Sequence, residues 1–153
     1  MRKLFANIVI ASTCLVASSL SFAQQRATAP EAVAFVKKAV AYIQKNGLDA
    51  AVKEFNNPKG SFIDRDLYIV VLDMTGLNLA HVNPRIVGKN LADFKDANGK
   101  AFVKEELELA KKTGSGWVDF KFVNPVNQKI ESKSQYLERH DDVVVMSGIY
   151  KEK

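Results

Sequence analysis

The chain has 153 residues, 47% of them hydrophobic and 25% charged, with eight glycines, four prolines and one cysteine. Those proportions exclude collagen-like, low-complexity and disulfide-scaffold classes, and the length suits one domain with one sizeable core. The net charge of +5 is spread along the chain, without the clustered basic face of a nucleic-acid binder.

The first segment carries a targeting pattern. Arg2 and Lys3 precede an uncharged run over residues 4–25, and Ser21-Phe22-Ala23 puts small residues at the two positions a signal peptidase reads. Residues 1–23 are therefore expected to be a cleaved signal peptide, which places the product in the periplasm. Cleavage also removes Cys14, the only thiol.

Thr28-Ala29-Pro30-Glu31 reads as a helix start, with Thr28 as cap, Glu31 reaching back and Pro30 in the first turn. Ala32, Val33, Phe35, Val36, Ala39, Val40 and Ile43 then recur at helical spacing until Asn46-Gly47. A short second helix follows over Leu48, Ala51, Val52 and Phe55, broken by Asn56-Asn57-Pro58. Residues 66–73 form a strand rich in β-branched and aromatic side chains, and 77–82 return as its hairpin partner. After a loop and a turn at Asp96-Ala97-Asn98-Gly99, a helix is predicted over 100–112, with Phe102, Val103, Leu107 and Ala110 inward. Its adjacent Glu105 and Glu106 read as solvation. Val118, Phe120 and Phe122 alternate with polar residues in the next strand, 117–123. Strands 129–139 and 143–150 complete a run of hairpins that must be antiparallel neighbours. The prediction is an α+β fold: a five-stranded antiparallel sheet, helices on one side, a long N-terminal helix, and a helix inserted between strands 2 and 3. Residues 24–60 are expected to form a helical segment within one domain with 61–153.

Over residues 67–151 the chain resembles the single Cache domain, an extracytoplasmic sensor module of PAS-like shape. Residues 66–73 carry the resemblance together with Leu79-Ala80-His81, Asn83-Pro84, 87–91, 96–100, 114–119, Asn124-Pro125, Lys133-Ser134-Gln135-Tyr136 and Ser147-Gly148-Ile149-Tyr150. The resemblance implies a small-molecule pocket over a PAS-like sheet. It also places Tyr68, His81, Trp117, Lys133 and Tyr136 near that pocket.

A cation among aromatic donors is how such a pocket holds a small carboxylate. Lys133 is the expected anchor, with Tyr68, His81, Trp117 and Tyr136 as neighbours. Lys133 and Tyr136 are three apart, so both reach one pocket only if their strand bulges or ends between them. Arg85 reads as a solvated arginine and His140 as part of an exposed turn.

No enzymatic constellation is visible. No thiol remains after cleavage, no glycine-flanked serine elbow accompanies the two histidines, and neither a P-loop nor a dinucleotide fingerprint occurs. The expectation is a non-enzymatic, cofactor-free binding module for a small organic acid or similar metabolite. With no transducing segment before Lys153, it would act through a membrane receptor or kinase. The alternative is an interaction or homodimerisation module in which Trp117, Phe120 and Phe122 fill the pocket.

Overall fold

The computed structural model describes residues 26–151; the expected signal peptide at 1–23 lies outside them. Helix α1 spans Ala29–Asn46 and α2 spans Leu48–Phe55. Strands β1 (Ile63–Asp64), β2 (Leu67–Tyr68), β3 (Val70–Asp73) and β4 (Asn78–Ala80) follow. Then come α3 (Phe102–Thr113), β5 (Ser115–Val123), β6 (Ile130–His140) and β7 (Val143–Tyr150). The main sheet has five strands in the order β4-β3-β7-β6-β5, all antiparallel, as the sequence predicted. No helix among the described residues is long and apolar enough to cross a membrane.

Helix α1 begins as the sequence implies. The Glu31 carboxylate accepts 2.7 Å hydrogen bonds from both the Thr28 backbone N–H and its hydroxyl, satisfying a donor that the helix leaves free. Of the expected face the helix buries Ala32, Phe35, Val36, Ala39, Val40 and Ile43, while Val33 is only half-buried. With Ala51 and Phe55 of α2, that face packs on Ile69, Val71, Val143 and Val145 of the sheet.

The helices do not lie on one side. Phe102, Val103, Leu107 and Ala110 of α3 cover the opposite face, against Val70, Leu72, Val144, Met146, Val118 and Phe120. The reason is already in the two central strands. Val70-Val71-Leu72 and Val143-Val144-Val145-Met146 are unbroken apolar runs, buried at every position. Alternation puts half of each run on either face, so both faces need a cover.

A second departure concerns 66–73, which is not one strand. Tyr68 and Leu67 pair with Ile63 and Asp64 in a separate two-stranded ribbon, and the main sheet resumes at Val70. The turn between the ribbon strands is Arg65-Asp66, with Arg65 at φ 57°. No glycine or asparagine marks it, which is why the sequence conceals it. Arg65 is held there by its own side chain, which bonds Glu31 at 2.7 Å and Asp64 at 2.9 Å.

Candidate functional site: a buried lysine in an apolar cavity

Strand β6 runs unbroken from Ile130 to His140, in continuous register with both neighbours. Its side chains therefore alternate strictly. Lys133, Gln135 and Leu137 face α3, whereas Tyr136 packs in the core under α1. Trp117 is Tyr136's cross-strand partner and meets it in a tilted contact with ring centroids 5.4 Å apart, 38% exposed. Trp117 and Tyr136 thus lie across the sheet from Lys133 and away from the α3-side cavity. The expectation of one pocket shared with Lys133 is corrected, because the bulge it required does not occur.

Between the sheet, α3 and the segment following β4 lies a cavity of about 380 Å³. Its lining is mostly apolar, including Val70, Leu72, Phe102, Phe120, Phe122 and Met146, and its polar members include Asn78, His81, Glu106, Lys133 and Gln135. The Phe102 and Phe120 rings stack at 4.0 Å along its wall. The aromatics line the space and leave it open, so the filled-pocket alternative is corrected as well. An adjoining recess shares His81, Asn83, Phe122 and Gln128 with the cavity, and the exposed Arg85 sits there.

Lys133 is 2% exposed. Its Nζ donates to the Tyr68 hydroxyl at 2.8 Å and lies 4.3 Å from that ring's centre and 5.3 Å from Tyr150's. Proton directions along this chain follow from counting. Tyr150 gives its single proton to the Val123 carbonyl at 2.8 Å, so across the 3.2 Å contact Tyr68 donates to Tyr150. Tyr68 thus accepts from Lys133 and holds the ammonium in place. Tyr150, whose phenol is held far above its ordinary pKa by burial and by Tyr68, anchors the chain. Sequence reasoning missed it.

An ammonium has three donors, and one is engaged. Among the described residues no carboxylate is ion-paired with Lys133. Burying such a charge without a counter-ion costs several kcal/mol.

The other titratable groups leave that charge uncompensated. Glu106 sits on the apolar stripe of α3, 1% exposed, and accepts from the Gln135 amide at 2.9 Å. It is not on a solvated face. Burial pushes its carboxyl up to about 8, against the opposing pull of Lys133 and Gln135, so near pH 7 it is mainly the neutral acid. Burial, helped by the Lys133 charge, lowers the His81 imidazole to about 3. His81 is therefore neutral, and its Nδ1 accepts from the Asn83 N–H at 2.8 Å. The ring proton is then on Nε2, a further donor. The Asn56 amide fixes this strand end by accepting from the His81 N–H at 3.0 Å and donating to the Leu79 carbonyl at 2.9 Å.

Room for the Lys133 stem comes from Gly148. A Cβ there would lie 2.8 Å from Lys133 Cε and 2.7 Å from the Ser134 carbonyl oxygen. Gly148→Ala is accordingly expected to cost about 1–3 kcal/mol through overpacking. Urea denaturation checks this, and an unchanged midpoint would show that the lysine stem is not confined.

An antiparallel sheet covered on both faces, with a cationic cavity under one cover, defines an α+β domain of the small-molecule-binding kind. The chain matches the family model described as single Cache domain 2 over residues 3–153, and it belongs to that family. A methyl-accepting chemotaxis protein from Vibrio parahaemolyticus aligns with TM-score 0.69 and 26% identity, covering 79% of this chain and 86% of that one. The periplasmic sensor domain of a chemotaxis protein aligns with TM-score 0.63 and 23% identity, covering 80% and 90%. A Cache chemosensory domain described for carboxylic acid recognition aligns with TM-score 0.69 and 20% identity, covering 80% and 92%. The last two likenesses speak to fold alone. No curated protein matches the chain.

Proposed function

We propose that this protein is an exported, periplasmic sensor module that captures a small carboxylate in the cavity beneath α3 and passes its loaded state to a membrane receptor or kinase. Residues 1–23 would be the export signal, and residues 24–153 would act as one unit without making or breaking bonds. One observation carries this reading: Lys133 is a buried ammonium facing an apolar cavity, and among the described residues it has one hydrogen-bond acceptor and no ion-paired carboxylate. A ligand carboxylate supplies the missing counter-charge, accepting from Lys133 Nζ and from His81 Nε2–H, while Tyr68 fixes the lysine. Family membership supports the sensor role.

The purified protein, unfolded and refolded to release any carried ligand, is the material for the test. Thermal unfolding with acetate, propionate, hexanoate and benzoate, against matching primary amides, reads the outcome. An acid at one hundred times its dissociation constant adds roughly 2.7 kcal/mol, a rise of several degrees, and the amides add none. A well-folded sample that no acid stabilises would overturn the reading.

A further inference from the structure

Resting on that reading, the polar group at the other end of the cavity narrows the ligand class. Asn78 is 0% exposed, lines the cavity, and among the described residues has no hydrogen-bond partner at either its Oδ1 or its Nδ2. Buried side-chain amides are ordinarily satisfied, and the Asn78 backbone already is, bonding the Lys89 carbonyl and the Gly88 N–H. An amide oxygen and an N–H₂ group thus stand unpaired on a residue of the cavity wall.

Its position is set by the sheet. Asn78 pairs with Leu72, four residues along the chain from Tyr68, which holds the lysine. Val70 and Leu72 line the stretch between. The two polar poles are separated by an apolar middle. At ~30 Å³ for each water-sized group, a cavity of about 380 Å³ has room for roughly a dozen. A two- or three-carbon acid would reach only one pole.

Charge restricts the far group further. Lys133 is the one cation on the described lining, and Glu106 is its one acidic member. A second carboxylate at the Asn78 end would have no partner charge. We infer that the cavity selects a bifunctional monocarboxylate: its carboxylate lies at Lys133, its apolar body spans the middle, and an uncharged donor–acceptor group, a hydroxyl or primary amide, pairs with Asn78.

The test uses straight-chain acids of four to eight carbons in three forms: the plain acid, the ω-hydroxy acid and the dicarboxylic acid. Titration calorimetry with the refolded protein should show one chain length at which the ω-hydroxy acid binds at least fivefold tighter than the plain acid. The dicarboxylate of that length should bind at least tenfold more weakly than the ω-hydroxy acid. In Asn78→Leu, which replaces an unpartnered amide by an apolar group of similar size, the hydroxyl preference should disappear while the plain acid still binds. No hydroxyl preference at any length overturns the inference and leaves the carboxylate reading standing. So does a preference that survives in Asn78→Leu. Failure of all the acids to bind overturns both.

Discussion

Lys133→Met is expected to abolish carboxylate binding while leaving the unliganded protein as stable as the wild type, or more so. The two effects have opposite signs because the charge is useful only when a ligand is present. Removing one partner of a buried ion pair typically costs about 3–5 kcal/mol, which at ~1.4 kcal/mol per decade is on the order of 10²–10³ in the dissociation constant. In the empty protein the same substitution deletes a buried ammonium that donates to the Tyr68 hydroxyl. Methionine has nearly the same length and fits the groove above Gly148. Tyr68 keeps its bond to Tyr150, since that proton does not come from the lysine. Calorimetry with the best-binding acid and urea denaturation without ligand separate the effects. A dissociation constant within tenfold of wild type would place the anchor elsewhere.

Glu106→Gln is expected to remove a loss of stability that the wild type suffers on going alkaline. The Glu106 carboxyl rises from 4.5 to about 8 on folding. Below 4.5 it is protonated in both states and contributes no penalty. Between 4.5 and 8 the unfolded chain releases the proton and the folded one keeps it, so stability falls as pH rises. Above 8 the penalty is complete, on the order of 4 kcal/mol for a group fully out of water. His81 acts in the opposite sense. Its imidazole falls from 6.5 to about 3 on folding, so stability rises with pH between those values. The two slopes oppose each other where the windows overlap, and the net contribution of this pair falls from 6.5 to 8. In Glu106→Gln the new amide oxygen can still accept from Gln135, so packing is retained. The variant should match the wild type near pH 4 and exceed it by several kcal/mol at pH 9, measured by urea denaturation across the range. An equal alkaline decline in both proteins would show that Glu106 is ionised in the folded state at neutral pH.

The residues of the site differ in how far the sequence disclosed them. Lys133 was singled out as the cation that the Cache resemblance puts near the pocket. Tyr136 was placed beside it by the same resemblance on the condition of a bulge, and strict alternation in a strand without a bulge separates them. Glu106 was set aside because it stands beside Glu105, yet it is four residues after Phe102 and four before Ala110, on the stripe that α3 buries. Helical spacing alone contained that signal. Asn78 offered none: a polar residue in a three-residue strand looks the same whether it faces solvent or a cavity.

By itself, the sequence determined the element order, the capping of α1, the buried faces of α1 and α3, and the antiparallel hairpins of the sheet. These follow from backbone preferences and from the periods of helix and strand, which act over a few residues. Only the tertiary structure decided that the sheet is covered on both faces, that Tyr68, Tyr150 and Lys133 form one hydrogen-bonded chain, and that Asn78 and Glu106 face the same cavity. Those residues are 29 to 82 positions apart where they bond. Their meeting is set by strand order and register, which arise from burial summed over the whole sheet and have no local signature.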